Sequence, residues 1–190
     1  MIIGISGLKG SGKDTAADYL VNNHDFIKIS FADALKDGCK AIFGFNDRQL
    51  NGDLKEVKDD TWKITPREAM QFVGTDLFRN QIKSLIPWVN DNFWIECTLN
   101  KIKKIKNTPD TCNKNIVIAD VRFENEAESI KNMDGIIICV KRNGLPHNNM
   151  SEHESEKYTN TINHDYLINN DDNIDKLQHR VELIINTIKN

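Results

Sequence analysis

The amino-acid sequence predicts an α/β fold of three layers, in which helices cover both faces of a central parallel sheet. Two observations lead to this prediction. Short apolar segments alternate with helical patterns along the chain, which is typical of strands joined by crossover helices. One of these segments, residues 135–140 (GIIICV), is apolar throughout, as expected of a strand that a parallel sheet buries on both faces.

The first part of the chain contributes two predicted pairs of a strand and a helix. Each strand is a short run rich in apolar residues, and each helix follows it after a loop. The predicted strands comprise residues 2–6 and 26–30, and the predicted helices comprise residues 14–22 and about 32–43.

The middle of the chain is predicted to be mainly helical. Residues 46–64 are polar and poorly periodic, which predicts loop and short helix. Pro66 occupies a favoured first helical position, and Thr65 and Glu68 have the spacing of a capping box. The longer helical patterns that follow comprise about residues 65–79 and 88–106.

The last part of the chain returns to alternating strands and helices. Residues 142–163 between them are polar and rich in asparagine, which predicts an exposed loop or flap. Neither an internal repeat nor a low-complexity linker divides the chain, so we expect a single domain. The predicted strands comprise residues 116–119, 135–140 and 164–168, and the predicted helices comprise residues 124–132 and 174–188.

Composition and charge exclude several classes of function. The net charge of −3 and the pI of about 6.0 do not give the basic surface that is typical of nucleic-acid-binding proteins. No apolar run approaches the roughly 20 residues of a membrane-spanning helix, and the first residues resemble a strand rather than a secretion signal. The four cysteines form no CxxC pair, which favours reduced thiols. We therefore expect a cytoplasmic protein with small-molecule partners, no nucleic acid and no membrane, and leave a homodimer open.

The clearest functional motif is the segment 7–15 (GLKGSGKDT), which fits the pattern G-x-x-x-x-G-K. It lies between a predicted strand and a predicted helix, the context in which this pattern binds nucleotide phosphates. Glycines allow backbone N–H groups to face phosphate oxygens, and the helix N-terminus adds positive partial charge. We therefore predict a P-loop NTPase fold in which Lys13 is catalytic at the β- and γ-phosphates. The predicted ATP-binding residues are Gly10, Ser11, Gly12, Lys13, Asp14 and Thr15.

One position of this motif departs from the usual pattern. Asp14 stands where a serine or threonine normally follows the lysine, and Thr15 comes next. A carboxylate beside phosphates requires Mg²⁺ or another cation nearby. We predict that Thr15 and Asp120 hold Mg²⁺, partly through water, and leave open whether Asp14 or Thr15 makes the direct contact.

A second group of candidate residues follows the strand predicted over residues 116–119. Asp120 comes at its carboxyl end, where ligand sites of open α/β sheets lie. Arg122 lies two residues further on, and a guanidinium there can bind an acceptor phosphate with two hydrogen bonds. The alternative is a surface arginine that pairs with Glu124 or Glu126. We predict that Arg122 is catalytic and that it binds the acceptor together with Asp120.

The helix that begins near Thr65 carries further polar candidates. Arg67 and Gln71 are four residues apart and share one helix face. Gln71 is suited to a base edge, whereas Arg67 and Arg79 are suited to phosphate; solvated helix side chains are the alternative. Weaker candidates for the acceptor side are Lys9, Asp33 and Lys36.

The segment 142–160 is predicted to form a lid. Arg142 follows the apolar strand directly and opens this segment. A cation on a segment that closes over the transferring phosphate is common in phosphotransferases, so Arg142 is predicted to be catalytic. His153 and Glu156 lie in the same segment and are predicted acceptor-binding residues; a metal site there is not expected, because no second histidine or cysteine falls at ligand spacing.

Five motifs occur in order along the chain: GLKGSGKDT, SFADALK, TPREAMQFVGTDLFR, VIADVRFENEAESI and HESE. Together they resemble the deoxynucleoside monophosphate kinases of phages and large DNA viruses. The resemblance implies phosphorylation of (deoxy)nucleoside monophosphates to diphosphates, with ATP as co-substrate and Mg²⁺ as cofactor. It implies one kinase domain over residues 1–190, with an acceptor-binding helical segment over about 44–106 and a small lid over about 142–160. The acceptor-site positions that it supports are Arg67, Gln71, Arg79, Arg122 and Arg142.

Two other readings compete with this one. The first is another small P-loop kinase that resembles dephospho-coenzyme-A kinase or phosphomevalonate kinase. The second is a non-catalytic nucleotide-binding module, although the sequence contains no N-K-x-D guanine motif.

Overall fold

A computed structural model describes residues 1–144 and 162–189. In this part of the chain, five strands form one parallel sheet in the order β2-β3-β1-β4-β5. The strands are β1 (Ile2–Ser6), β2 (Phe26–Ile29), β3 (Asn115–Val121), β4 (Ile136–Lys141) and β5 (Tyr166–Asn169).

Seven α-helices are present in the described ranges. Short 3₁₀ turns at Asp53–Glu56, Ile82–Ser84 and Pro87–Val89 supplement them. The helices are α1 (Lys13–His24), α2 (Asp33–Phe43), α3 (Asp47–Asn51), α4 (Pro66–Gln71), α5 (Phe93–Asn107), α6 (Glu124–Lys131) and α7 (Ile174–Lys189).

The central strand β1 shows that helices cover both faces of the sheet. Ile3 and Ile5 point to one face, where they join a buried apolar cluster with residues of α1 and α7. Successive side chains of a strand alternate between faces, so Gly4 faces the other side. A Cβ atom on Gly4 would lie 2.6 Å from Cδ1 of Ile130 in α6, which shows how closely this helix packs. The predicted three-layer fold is confirmed.

The chain divides into two compact units. The sheet unit comprises Met1–Ser30 and Ile105–Asn190, and the helical unit comprises Phe31–Lys104. The acceptor-binding segment predicted over residues 44–106 falls almost wholly within the helical unit. One buried apolar cluster of the helical unit comprises Cys39, Phe45, Leu50, Ala69, Met70 and Val73.

The helix predicted from Thr65 to Arg79 is more complex than expected. Thr65 and Glu68 form the predicted capping box, but α4 ends at Gln71 and the chain continues as a π-helix over Phe72–Gln81. A π-helix redirects backbone carbonyls from their usual partners. Here the carbonyl of Gly74 accepts a hydrogen bond from the buried indole N–H of Trp94 at 2.9 Å. The prediction of an uninterrupted α-helix was therefore wrong in this region.

Several predicted boundaries also differ from the structure. The helix expected after Pro87 begins only at Phe93, because a 3₁₀ turn and Asn90 with a positive φ of 48° come first. The last strand begins at Tyr166 rather than at His164. None of the helices within residues 1–144 and 162–189 combines the length and apolar character that a membrane crossing requires.

Candidate active site

The carboxyl ends of three neighbouring strands in the sheet unit bring together the main candidate residues. The glycine-rich loop follows β1, Asp120 lies near the end of β3 with Arg122 just beyond it, and Arg142 follows β4. Strands β3, β1 and β4 are adjacent and parallel. Because parallel strands end at the same edge of a sheet, these residues share the edge at which ligands of open α/β sheets bind.

The backbone of the loop requires its glycines. Gly7, Gly10 and Gly12 have positive φ angles of 151°, 83° and 98°, which residues other than glycine rarely adopt. Space is restricted as well, since a Cβ atom on Gly7 would lie 2.5 Å from the carbonyl oxygen of Val140. The loop conformation is therefore specified by the residue types of the motif.

The loop leads into an open helix N-terminus. Helix α1 begins at Lys13, and its first backbone bond runs from the N–H of Ala16 to the carbonyl of Gly12 at 3.0 Å. The first amides of a helix have no partner within the helix. Among the described residues no side chain caps this end. The amides and the helix dipole therefore favour an anion here.

Two buried hydroxyl groups lie at and in the loop, and neither has a hydrogen-bond partner in the part of the chain that the structure describes. Ser6 and Ser11 are fully buried, and within the described ranges their Oγ atoms have no hydrogen-bond partner. Buried hydroxyls in folded proteins are nearly always bonded. Unsatisfied polar atoms at the base of the loop fit a site that receives a polar ligand such as phosphate with its water.

Two lysines balance the charge of Asp14. The Nζ atom of Lys13 lies 3.6 Å from Oδ2 of Asp14, and that of Lys28 lies 3.5 Å from Oδ1. Lys28 also donates to Asp18 at 2.9 Å. Burial opposes the charge of Lys28, but the hydrogen bond to Asp18 and the nearby carboxylates raise its pKa overall. A cation near the unusual Asp14 was expected, but no sequence pattern indicated that Lys28, on strand β2, is one.

The oxygen atoms that the sequence assigns to Mg²⁺ are suited to that ion. Asp120 is half-buried and accepts a hydrogen bond from the hydroxyl of Ser30 at 2.5 Å, while Thr15 is half-buried in the first turn of α1. The described residues contain no cluster of three or more His, Cys, Asp or Glu side chains arranged for a metal. Mg²⁺ takes few protein ligands when phosphates and water supply the others, so one hydroxyl and one carboxylate fit the ion.

A buried carboxylate orients the backbone at Arg122. Oε2 of Glu126 accepts hydrogen bonds from the N–H groups of Arg122 and Phe123 at 2.8 and 3.2 Å. Glu126 is only 3% exposed. A carboxylate that accepts two backbone N–H groups satisfies the donors at the start of α6 and fixes the chain that follows β3. The sequence placed Glu126 only as an alternative partner of the Arg122 side chain, not in this role.

Several predicted acceptor residues belong to the helical unit, where Asp33 and Arg67 form ion pairs. Nζ of Lys101 lies 2.7 Å from Oδ2 of Asp33, and the guanidinium of Arg67 contacts Glu56. Such pairs position the side chains, and their roles toward a substrate stay predictions. The predicted residues in this unit are Asp33, Lys36, Arg67, Gln71 and Arg79.

Only the beginning of the predicted lid can be described. Arg142 is exposed and directly follows β4. The next residue, Asn143, is bound through its N–H and its side-chain amide to the carboxylate of Asp171 at 2.6 and 2.7 Å. His153 and Glu156 lie outside the described residues, as does the rest of the segment from residue 145 to 161. Lys9, in the glycine-rich loop, is exposed.

Sequence reasoning also missed Asn170, which follows β5. Its side-chain amide donates to the carbonyl of Ser11 in the glycine-rich loop at 2.8 Å, although the two residues are 159 positions apart. Asparagine is common in the loops of this chain, so nothing in the sequence distinguished this one.

The parallel sheet, the glycine-rich loop at an open helix N-terminus and the carboxylate on the neighbouring strand define a P-loop phosphotransferase. Comparison with known proteins identifies the family. The chain belongs to the deoxynucleotide monophosphate kinase family, whose model matches residues 41–181. A relative from Acanthamoeba polyphaga mimivirus, provisionally named a deoxynucleotide monophosphate kinase, is 38% identical over 186 residues, which cover 95% of this chain and 94% of the relative.

Two solved structures that resemble this chain are distant from it in sequence. A dephospho-CoA kinase from Campylobacter jejuni superposes with a TM-score of 0.50 at 15% identity, covering 98% of this chain and 96% of that one. A shikimate kinase from Aquifex aeolicus has a TM-score of 0.46 at 12% identity, covering 100% and 98%. At 15% identity the likeness to the dephospho-CoA kinase supports the fold alone, and the likeness to the shikimate kinase supports no further conclusion. The enzyme class rests on the family: the chain is a kinase of nucleoside monophosphates.

Proposed function

We propose that this enzyme transfers the γ-phosphate of Mg²⁺-bound ATP to the phosphate of a deoxynucleoside monophosphate and releases the diphosphate and ADP. The observation that carries the proposal is the open N-terminus of α1 behind the glycine-rich loop, with Lys13 as its first residue. The choice of deoxyribose follows the family description. We further propose that it acts in the cytoplasm of a host cell, an inference that rests on the viral relative.

The loop binds the phosphates of ATP in this proposal. The N–H groups of residue 10 and residues 12–15 donate to phosphate oxygens, whereas that of Ser11 is bound to the carbonyl of Leu8. Lys13 neutralises the charge that develops as the γ-phosphate leaves. The side chain of Lys13 is only 13% exposed. A cation from which bulk water is partly excluded stabilises nearby negative charge more strongly than a cation in bulk solvent. When bound, Mg²⁺ would supply positive charge that offsets the charge of the phosphates. Thr15 and Asp120 are the residues that would hold it, directly or through water.

The acceptor is bound by arginines. Arg122 binds its phosphate, because a planar guanidinium matches two phosphate oxygens, and Glu126 fixes the backbone from which Arg122 extends. Arg142 approaches the transferred group from the end of β4. The remaining acceptor contacts are proposed for Lys9, Asp33, Lys36, Arg67, Gln71, Arg79 and Asp120; His153 and Glu156 stay predictions.

The test is an acceptor panel. The purified full chain is given ATP and Mg²⁺ with each common nucleoside monophosphate in ribose and deoxyribose form, and ADP and diphosphate are measured. Dephospho-coenzyme A and phosphomevalonate complete the panel. We expect turnover with one or more deoxynucleoside monophosphates. Turnover only with a non-nucleotide acceptor would refute the proposed substrate, and ATP binding without any turnover would indicate a binding module.

Variants test the role of the loop in the same assay. Lys13→Ala should lower turnover by about 10²- to 10³-fold, the usual effect of removing one group that stabilises transition-state charge. Lys114→Ala is the matched control, because Lys114 precedes β3 at the opposite end of the strand and pairs with Asp25 on the surface. Retention of more than about a tenth of the parent rate in Lys13→Ala would contradict the loop assignment.

A further inference from the structure

Asn170 is a buried polar residue at the edge of the sheet that holds the glycine-rich loop. It follows β5 and is only 5% exposed. Its backbone N–H donates to the carbonyl of Lys141 at 2.7 Å, and its side-chain Nδ2 donates to the carbonyl of Ser11 at 2.8 Å. Ser11 is fully buried as well, so this bond is shielded from water and costly to leave unmade.

The bond fixes the orientation of one peptide group in the loop. The carbonyl of Ser11 and the N–H of Gly12 belong to the same planar trans peptide, so they point in opposite directions. Because Asn170 binds the carbonyl, the N–H of Gly12 is directed away from Asn170. The residues on either side of Ser11 are glycines with positive φ, and glycine offers little resistance to rotation of the intervening peptides. Without Asn170, the peptide between Ser11 and Gly12 could rotate and present a carbonyl oxygen in place of its N–H.

Asn170 is itself held in place independently of any ligand. The guanidinium of Arg180 donates to the carbonyl of Asn169, which precedes Asn170. Its Nη2 atom also lies 2.6 Å from Oδ2 of Asp172, two residues after Asn170. Contact with the loop is close, because a Cβ atom on Gly12 would lie 2.3 Å from Nδ2 of Asn170. The turn after β5 therefore forms a fixed support against which the loop packs.

We propose that Asn170 is a positioning residue for the phosphate donor: it holds the peptide between Ser11 and Gly12 with its N–H available to an ATP phosphate. This inference depends on the proposed binding of ATP by residues 7–15. A carbonyl oxygen in the same place would repel phosphate instead of binding it. Asn170 thus acts through the loop and makes no contact with the substrate in this proposal.

The test replaces the amide by a group of the same shape that cannot donate. Asn170→Asp retains the fit beside Gly12 but turns a carboxylate oxygen toward the Ser11 carbonyl. The matched control is Asn169→Asp, which introduces the same charge one position earlier on an exposed side chain. We expect Asn170→Asp to weaken ATP binding by about tenfold or more, while the KM for the acceptor changes little and Asn169→Asp behaves as the parent. Asn170→Leu, which also lacks a donor, replaces Asn170→Asp if the latter does not fold.

A spectroscopic experiment observes the peptide itself. Serine followed by glycine occurs at two places in the chain, Ser6-Gly7 and Ser11-Gly12. Labelling with ¹³C-carbonyl serine and ¹⁵N-glycine therefore isolates these two peptide groups by NMR, with Gly7 as the internal control. Asn170→Asp should shift the Gly12 amide resonance and reduce its response to a non-hydrolysable ATP analogue, whereas the Gly7 resonance should move much less.

The outcomes separate this inference from the proposed function. Unchanged ATP affinity in the Asn170 variant that folds, or an unchanged Gly12 resonance, would overturn the positioning role while ATP-dependent turnover by the parent still supports the function. A purely structural role would instead lower the melting temperature or the active fraction, and hence the apparent kcat, with the KM for ATP unchanged. If Lys13→Ala binds ATP as the parent does, the loop assignment fails and the inference fails with it.

Discussion

Replacement of Gly12 by alanine should destabilise the enzyme and weaken ATP binding together. Gly12 combines two constraints: its φ angle is 98°, and a Cβ atom would lie 2.3 Å from Nδ2 of Asn170. An alanine can be accommodated only if the backbone is strained and Asn170 moves. The movement would break the hydrogen bond from Asn170 to the carbonyl of Ser11.

The size of the effect follows from these contributions. Holding a residue other than glycine at this φ costs about 1–3 kcal/mol, and loss of the buried hydrogen bond costs about 1 kcal/mol. Restriction of the unfolded chain by alanine offsets about 0.4–1 kcal/mol. The net loss in the free energy of unfolding is therefore about 2 kcal/mol, which corresponds to a melting temperature lower by about 4–8 °C for a chain of this length.

Gly38→Ala is the matched control, because it makes the same chemical change with the opposite expected sign. Gly38 lies inside α2, and apart from its chain neighbours and the backbone of its own helix, no atom of the described residues lies within 4 Å of the position that its Cβ would take. Alanine is favoured over glycine in a helix by about 0.5–1 kcal/mol, so the melting temperature should rise by about 1–4 °C. Calorimetry measures the melting temperatures, and titration with ATP at a fixed acceptor concentration measures the KM for ATP in parent and variants.

The reasoning would be refuted if Gly12→Ala melted within about 1 °C of the parent, well below the expected shift, and retained its KM for ATP. Such a result would mean that the loop does not have the conformation described. A destabilised variant with unchanged ATP affinity would support the backbone strain at Gly12 but would show that ATP phosphates do not bind at this part of the loop.

Three further predictions concern the acceptor, the transfer step and acid stability. Arg122→Lys should raise the KM for the acceptor about tenfold with ATP affinity unchanged, because lysine keeps the charge but loses the planar fork; equal effects on both substrates would indicate a structural ion pair. Arg142→Ala should lower kcat by about 10²-fold while direct ATP binding stays constant, and a near-normal kcat would exclude a catalytic role. Glu182 accepts a hydrogen bond from Tyr19 at 2.9 Å and contacts Nε2 of His24 at 2.6 Å. These two contacts, that with Tyr19 contributing most, lower the pKa of Glu182 below its ordinary 4.5. The parent should therefore be more stable than Glu182→Gln above about pH 5 and lose this advantage as the pH falls through the lowered pKa; urea unfolding at a series of pH values measures it, and a difference that does not depend on pH would contradict the assignment.

Local sequence was sufficient for the features that depend on neighbouring residues. The glycines at positions 7, 10 and 12 specify a loop that other residues cannot form. Thr65 and Glu68, three residues apart, form the capping box that their spacing predicts. The apolar run over residues 135–140 covers all of β4 except its last residue, the exposed Lys141. These signals identified the fold class, and the resemblance of the motifs identified the kinase family, which the comparisons confirm.

The longer helical region shows where local patterns fail. Periodicity over residues 65–79 predicted one α-helix, but the structure contains a π-helix after Gln71. The carbonyl of Gly74 accepts a hydrogen bond from the indole N–H of Trp94, 20 positions later. Helical periodicity reports which face is apolar, and it does not report which distant side chain requires a backbone partner.

Tertiary structure alone decided which distant residues support the loop. Asn170 reaches the carbonyl of Ser11, and Lys28 reaches Asp14, because the order of strands in the sheet places the turn after β5 and the strand β2 beside a loop that is far away in sequence. A hydrogen bond between residues 159 positions apart cannot be predicted from residue spacing, because it forms only when all the strands between the two residues have packed into the sheet. The sequence alone determined that a glycine-rich loop follows β1 and which residues form it. Its support by Asn170, and the balance of the Asp14 charge by Lys28, became visible only when the sheet was assembled.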